Sequence, residues 1–447
     1  MHSIIQVMKL LKRTHYTNEL EKNVGKEVIV SGWVHDVRLL GKISFVLLRD
    51  REGIVQVTAV QDKVPEKVPE IIKKLHQEDV LTIRGKIQKS KSKDYPVEMI
   101  PDEIEIVSKS SVPLPLDPRN VTPANLDTRL DWRSLELRKR ENFAIFRIQE
   151  LIMQGFEDQL RKEGFLRVWT PSLIPGAPEG GSEVFKITYF NQIASLRQDP
   201  QLHRQLLIAA GFDKIYDMGP SWRAELSDQP THLSEHRTCA PEMSFIEDEI
   251  DTERLEERVV VSAITKVIKE GEEELKILKK ELKVPKMPFP EMRFPKIYDI
   301  LEENGKKLKR GSDLDKESEK ILANFVKEKH KSDFFFINRF PYAVKPFYVM
   351  KVDEEPEWAR SVDFVFKGLE MSSGGQREHR YEKIVEQIKE KKMNLESLKW
   401  FADVFKYGVP PHGGFSLGIE RFTMKLLDMS NVKEAVLFPR YPTRMHP

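Results

Sequence analysis

The chain has 447 residues, 40% of them apolar, which is enough for two or three domains with real cores. Charged residues make up 32% yet leave a net charge of only +2, so a polyanionic partner must be met by a local patch rather than by overall charge. Cys239 is the only cysteine, which excludes an intrachain disulfide and a cysteine zinc site. No apolar run approaches a membrane span, and MHSIIQVMKLLKR is too short and broken for a secretory signal, so the expectation is a cytoplasmic protein with no membrane partner.

Residues 27–107 carry five strand-like runs rich in β-branched and aromatic residues, with a hairpin turn at 50–53 and a helical stretch at about 66–77 between the third and fourth runs. That order predicts an OB-fold β-barrel over residues 1–108, a frequent binder of single-stranded nucleic acid. Trp33, His35 and Phe45, with Arg84, Lys86, Lys89, Lys91 and Lys93, suit that use; the plainer alternative makes the aromatics core and the lysines solvated. Residues 109–140 read as a hinge or linker, in which the proline-containing stretch SSVPLPLDPRNVTPAN should be extended and non-helical.

The larger domain, residues 141–447, opens with an amphipathic helix over 141–164, since Ile145, Ile148, Ile152 and Phe156 recur at helical spacing. FLRVWTPSLI follows as a strand interrupted by Pro171, which points to an edge or an interface. The glycine-rich loop 176–185 holds Glu179 but lacks the spacing of a phosphate-binding loop, and no GxGxxG follows a strand. Residues 252–283 are so charged that they read as a solvated helical excursion. The runs 334–341 and 347–352 read as strands, 361–380 as two strands with a glycine break, and 411–429 as a glycine-rich strand entering a helix.

The chemistry-bearing residues are arginines and carboxylates: Arg223, Arg377, Arg421, Glu179, Glu225, Asp363 and Glu370. Arg223 and Glu225, two apart on a short strand, would share a face, and an arginine fork there suits a phosphate. An Arg-x-Glu on a strand is, by itself, most often a surface ion pair. The set as a whole offers arginines to neutralise phosphate charge and paired carboxylates to hold Mg2+. Attack of an already ionised carboxylate on the α-phosphorus of ATP needs only this, because the nucleophile requires no base. Together with a nucleic-acid-binding barrel, the set points to adenylation followed by transfer to RNA.

At this level of detail the chain resembles the class II aminoacyl-tRNA synthetases, and within them the archaeal type of aspartyl-tRNA synthetase. The similarity covers nearly the whole length. GWVHDVR and GKISFVLLRDREGIVQVT resemble the anticodon-binding OB domain, LDTRLDWRSLELR the hinge, and FLRVWTPSLI the dimer-interface motif 1. GPSWRAE with EM resembles motif 2, and GLEMSSGGQREHRYE, PPHGGFSLGIERFTMKLL and LFPRYPTRMHP are closely similar to the archaeal enzymes through motif 3. The resemblance implies an α+β fold: the barrel plus an antiparallel catalytic sheet flanked by helices. It implies an aspartate–tRNA ligase, a homodimer using L-aspartate, ATP, Mg2+ and tRNA(Asp).

Carried over residue by residue, the resemblance makes Arg223 the arginine on the α-phosphate and amino-acid carboxylate, and Glu225 the acid beside adenine. His232 and Leu233 lie in the loop near the γ-phosphate, Gly418 beside the nucleotide, and Arg421 on the γ-phosphate. Asp363 and Glu370 would bind Mg2+ with Ser373 assisting. Glu179 would cover the substrate amino group, Gln201 would touch the substrate, and Arg204 with Arg377 would hold its side-chain carboxylate. The departures cluster at the amino acid. In 198-QDPQLHRQ-205, Asp199 replaces the family's serine and Arg204 its lysine, so that Asp199 could ion-pair with Arg204 and tighten the pocket. Ala240 stands where most members have Asp, and His236 where many have an aromatic against adenine.

Two classes of reading follow. One is the ligase. The other is a paralogue with altered amino-acid specificity, as in asparagine synthesis, or a non-catalytic RNA-binding relative. In the barrel, His35 stands where members strict for tRNA(Asp) tend to carry tryptophan, and Pro96 sits near a second differing position. The resemblance therefore extends the expectation to tRNA(Asn), with an amidotransferase to convert the mischarged product.

Overall fold

A computed structural model describes residues 11–119, 121–175 and 184–447. It divides into two compact units, the first ending at Phe143 and the second running from Ala144 to Pro447.

In the first unit, β1 (Glu27–Leu40), β2 (Ile43–Arg49), β3 (Ile54–Val60), β4 (Val80–Lys89) and β5 (Val97–Ser108) close a barrel in the order β1-β2-β3-β5-β4. Strict alternation along β1 puts Val28, Val30 and Val34 inside and leaves Ser31 and Trp33 on the outer face. His35 falls where the β1–β2 register shifts between Val34 and Asp36, so it is the extra residue of a β-bulge. The helix after β3 spans only Lys67–Ile72, shorter than the 66–77 expected. Beyond it the Asp79 carboxylate accepts the His76 backbone N–H at 2.8 Å and Glu78 takes a positive φ of 66°, so a side-chain turn displaces the last helical turn.

The second unit is built on an eight-stranded sheet, in the order β12-β13-β14-β15-β16-β11-β10-β6. Its members are β6 (Leu166–Val168), β10 (Lys214–Trp222), β11 (Glu235–Ser244), β12 (Glu291–Arg293), β13 (Phe334–Asn338), β14 (Ser361–Phe366), β15 (Leu369–Arg377) and β16 (His412–Gly418). The six central strands pair antiparallel. A small sheet, β7 (Leu173–Ile174), β9 (Gln192–Leu196) and β8 (Lys186–Tyr189), takes the other half of FLRVWTPSLI. Pro171 thus separates two strands that belong to different sheets, rather than interrupting one.

Two long helices, Arg140–Lys162 and Ile250–Glu270, cover the sheet. Ile148, Ile152, Phe156, Val259, Ala263 and Val267 share one core with Phe364, Phe415 and Phe422. Gly155 makes the helix contact possible: a Cβ there would lie 2.5 Å from the Ala263 Cα. The second helix corrects the expectation of a solvated excursion at 252–283, because its acidic residues are buried with partners. Asn338 Nδ2 donates to Glu253 Oε1 at 2.8 Å, Ser372 Oγ lies 2.5 Å from Glu256 Oε1, and Glu257 Oε1 accepts from Phe289 N at 2.5 Å. Burial pushes Glu256 up to about 8 and Glu253 up to about 9.

The 347–352 run forms no strand. Phe347, Tyr348 and Val349 pack with Phe401 and Phe405, and Gln387 Nε2 donates to the Phe347 and Val349 carbonyls, meeting by side chain what a ladder would otherwise meet.

Candidate active site

Strands β10, β11, β15 and β16 bound a cavity of about 280 Å3. Arg223, Glu225, His232, Leu233, Glu370, Ser373, Gly418 and Arg421 line it, and so do Gln201 and Arg377. Arg204 and Asp363 stand behind the lining. Glu179 lies outside the described residues.

Arg223 and Glu225 sit past the end of β10 rather than on it. One more backbone bond, Arg223 N to Ser234 O at 3.0 Å, continues the β10–β11 ladder before the chain turns away. The two side chains still meet, with Nη1 3.5 Å from Oε1, and His232 Nε2 lies 3.7 Å from Glu225 Oε2. Burial, with Arg421 adding to it, holds His232 below its ordinary value. Arg421 donates from Nε to the Thr231 carbonyl at 3.1 Å, which ties the helix Ile419–Leu426 to the loop after β10. Burial lowers the Arg421 guanidinium despite Glu370, and Arg223 presses in the same direction. Two like charges converging on one cavity are what a polyanion would relieve.

Asp363 and Glu370 come from the β14–β15 hairpin, where a register shift between Phe364 and Val365 sets Val365 opposite Glu370. Burial and the neighbouring Asp363 push Glu370 above its ordinary value. Ser373 Oγ donates to Asp363 Oδ1 at 2.6 Å, and Lys345 Nζ reaches both Asp363 oxygens at 3.0 and 2.9 Å. Among the described residues no group of three or more histidine, cysteine or acidic side chains could hold a metal alone. A like-charged pair that has drawn in a lysine ammonium does fit a divalent ion whose remaining ligands come from phosphate oxygens. No motif or spacing marks Lys345, which lies on an irregular segment.

At the opposite end, Arg204 and Arg377 are both buried. Arg204 donates from Nη1 and Nη2 to the Asp199 carboxylate at 2.9 and 2.8 Å, and from Nη2 to Gln201 Oε1 at 2.7 Å. Arg377 donates from Nε to Glu242 Oε1 at 3.0 Å and from Nη2 to the Gly414 carbonyl at 2.9 Å. Gln201 Nε2 donates to the same Glu242 oxygen at 3.2 Å. Burial disfavours the Asp199 and Glu242 carboxylates, yet the arginines outweigh it and hold both below the ordinary value. Gly414 makes room for this: a Cβ there would stand 2.6 Å from Glu242 Oε2 and 2.1 Å from the Pro241 carbonyl. The motif letters around EM gave no warning that Glu242 joins the two arginines.

His412 and His236 are neutral near pH 7, lowered by burial to about 4 and about 3. An uncharged imidazole at 236 retains the flat ring that an aromatic would offer. Ala240 is buried on β11, opposite Asp217, whose carboxylate is engaged by Arg197 at 3.1 Å and by Thr170.

In the barrel, Trp33 and Phe45 share the outer face with Arg49, and His35 Nδ1 lies 3.2 Å from Arg49 Nη1. Arg49 and Arg138 both donate to Glu78 at 2.8 Å, and the Arg138 guanidinium lies 5.3 Å from the Trp33 ring centre. Pro96 is exposed at the start of β5 in a different hollow, with Asn18, Glu52 and Tyr95, that none of the three aromatic positions lines.

Residues 125–442 match the family of class II tRNA synthetases for D, K and N, and residues 28–107 match the OB-fold nucleic acid binding domain. The chain belongs to the class II tRNA synthetases. It is 45% identical to the aspartate–tRNA(Asp) ligase of Pyrococcus furiosus, over 97% of this chain and all of that one. It is 42% identical to the aspartate–tRNA(Asp/Asn) ligase of Methanopyrus kandleri, over 98% of this chain and all of that one. Among solved structures, the asparaginyl-tRNA synthetase of Pyrococcus horikoshii with asparaginyl-adenylate is similar at a TM-score of 0.90 and 30% identity, covering 98% of this chain and all of that one.

Proposed function

We propose that the chain is an aspartate–tRNA ligase that activates L-aspartate with ATP and transfers it to tRNA(Asp). The observation that carries this is the convergence of Arg223 and Arg421 on one end of a cavity whose other end is lined by Arg377, with Arg204 behind it. The names of the relatives support it.

In this reading the aspartate α-carboxylate, already ionised, attacks the α-phosphorus, and the bond to pyrophosphate breaks with the electron pair leaving on pyrophosphate. Arg223, half exposed and only loosely paired with Glu225, is available to the α-phosphate and carboxylate. Arg421 and His232 face the γ-phosphate, Glu225 the adenine edge, and Leu233 and Gly418 the nucleotide. Arg377 and Arg204 take the side-chain carboxylate, Gln201 positions the substrate, and Glu179 covers its amino group. Asp363, Glu370 and Ser373 would hold Mg2+, which neutralises phosphate charge when bound. A ribose hydroxyl of the tRNA end then attacks the aspartyl carbonyl and releases AMP.

The barrel, residues 1–108, would read the anticodon through Trp33, His35, Phe45 and Pro96, with 109–140 as hinge and 141–447 as the catalytic domain. His35 in its bulge favours a second reading, relaxed charging of tRNA(Asn) with an amidotransferase downstream. The chain would act in the cytoplasm; among the described residues no helix is long and apolar enough to cross a membrane. A homodimer is expected, since Trp169 and Leu173 beside Pro171 expose apolar surface; light scattering at micromolar concentration should give twice the chain mass, and a monomer would contradict it. The deciding experiment is amino-acid-dependent ATP–pyrophosphate exchange over all twenty amino acids. Absence of exchange with aspartate sinks the reading.

A further inference from the structure

The two arginines at the amino-acid end are not equivalent. Both terminal nitrogens of Arg204 donate to Asp199, and its Nε stands 3.6 Å from Glu242 Oε2. Both outer nitrogens of that guanidinium are therefore taken by Asp199, while the buried Nε makes no hydrogen bond. Arg377 commits Nε and Nη2 to Glu242 and the Gly414 carbonyl, which leaves Nη1 outside that set. Two arginines against two carboxylates make the end electrically neutral, and His412, lowered by burial to about 4, adds no charge near pH 7. Asp199, unlike Arg204, lines the cavity and keeps part of its side chain exposed.

We propose that Asp199 is a specificity-determining residue, an internal carboxylate that holds the Arg204 fork and competes with the side-chain carboxylate of aspartate for it. The inference rests on the aspartate-activating reading above. An incoming carboxylate meets Arg377 through one remaining nitrogen and must share Arg204 with a group of its own sign. An incoming amide meets no such repulsion. Asp199 thus narrows the preference for aspartate over asparagine below what an uncharged residue at 199 would allow, since discrimination is a difference between the two affinities. An arginine fork suits this arrangement better than a lysine ammonium, because both of its outer nitrogens can be claimed by one carboxylate.

The test is ATP–pyrophosphate exchange by the full-length protein with L-aspartate and with L-asparagine. Asp199→Asn keeps the shape and a hydrogen-bond acceptor for Arg204. The double variant Asp199→Ser with Arg204→Lys shortens the buried cation, and covers the case in which an uncompensated Arg204 prevents folding. The expected result is a KM for aspartate about tenfold lower, the kcat for aspartate within about twofold, and a smaller change for asparagine, so that the ratio of kcat/KM values rises about tenfold. Asp199→Glu, which restores the charge, should return the ratio toward wild type. An aspartate KM that is unchanged or higher in whichever of the uncharged variants fold would overturn the proposal while leaving wild-type aspartate exchange intact. Exchange by wild type with other amino acids but never with aspartate would overturn the parent reading, and this inference with it.

Discussion

Lys345 places its Nζ 2.9 and 3.0 Å from the two oxygens of Asp363, the carboxylate that Ser373 also contacts. An ammonium there satisfies a charge that a divalent ion would otherwise meet. If Asp363 and Glu370 hold Mg2+, the ion and the lysine compete. Lys345→Met should therefore lower the Mg2+ concentration giving half-maximal exchange by several-fold, measured by titrating Mg2+ at saturating ATP. A higher requirement in the variant would show that Lys345 serves the phosphates instead.

Arg223→Ala should reduce the kcat of aspartate-dependent exchange by about a hundredfold or more, the scale on which loss of one preorganised charge acts. Arg223 side chain is 51% exposed, so the melting temperature should barely move. An active variant would remove Arg223 from the chemistry.

Stability should fall as pH rises through the range in which Glu256 titrates. Burial lifts this carboxyl from 4.5 to about 8. Between those values the folded chain keeps a proton that the unfolded chain has lost, so the stabilisation is complete below the lower value and is lost toward the upper one. Glu256→Gln should flatten the melting temperature across this window; Glu253, raised by burial to about 9, leaves a residual slope. An undiminished slope would refute the assignment.

His35 is held below its ordinary value by burial and by Arg49, so a neutral ring sits in the β1 bulge. An indole in its place could not accept from Arg49 and would fill more of the outer face. The expectation is that wild type charges purified tRNA(Asp) and tRNA(Asn) comparably and that His35→Trp favours tRNA(Asp) by roughly tenfold, the order of one base-stacking contact. A wild-type preference of about a hundredfold, unaltered by the substitution, would rule this out.

The five barrel strands were legible because period-2 burial leaves a mark that composition cannot hide: Val28, Val30 and Val34 inside, Trp33 outside. Arg421 and Glu370 were singled out by residue type and by the motifs that GLEMSSGGQREHRYE and PPHGGFSLGIERFTMKLL resemble, and both line the same cavity. The helix Ile250–Glu270 was misread because Glu253, Glu256 and Glu257 look solvated until Asn338, Ser372 and Phe289 arrive from distant segments to receive them. Lys345 and Glu242 were invisible for the same reason. An ion pair across a sheet has no spacing in the chain.

The closed barrel has a consequence for what can change in it. β1 pairs with β4 over Glu27–Trp33 and with β2 over Trp33–Leu40, so its backbone is fixed by one ladder or the other along its whole length, while the side chains on its outer surface take no part in either. Those positions alternate with the ones that fill the interior. Residues 33 and 35 can therefore be exchanged while 28, 30 and 34 stay fixed, and if they read RNA as proposed, that choice is a trait open to drift, or to engineering, without re-solving how the domain folds.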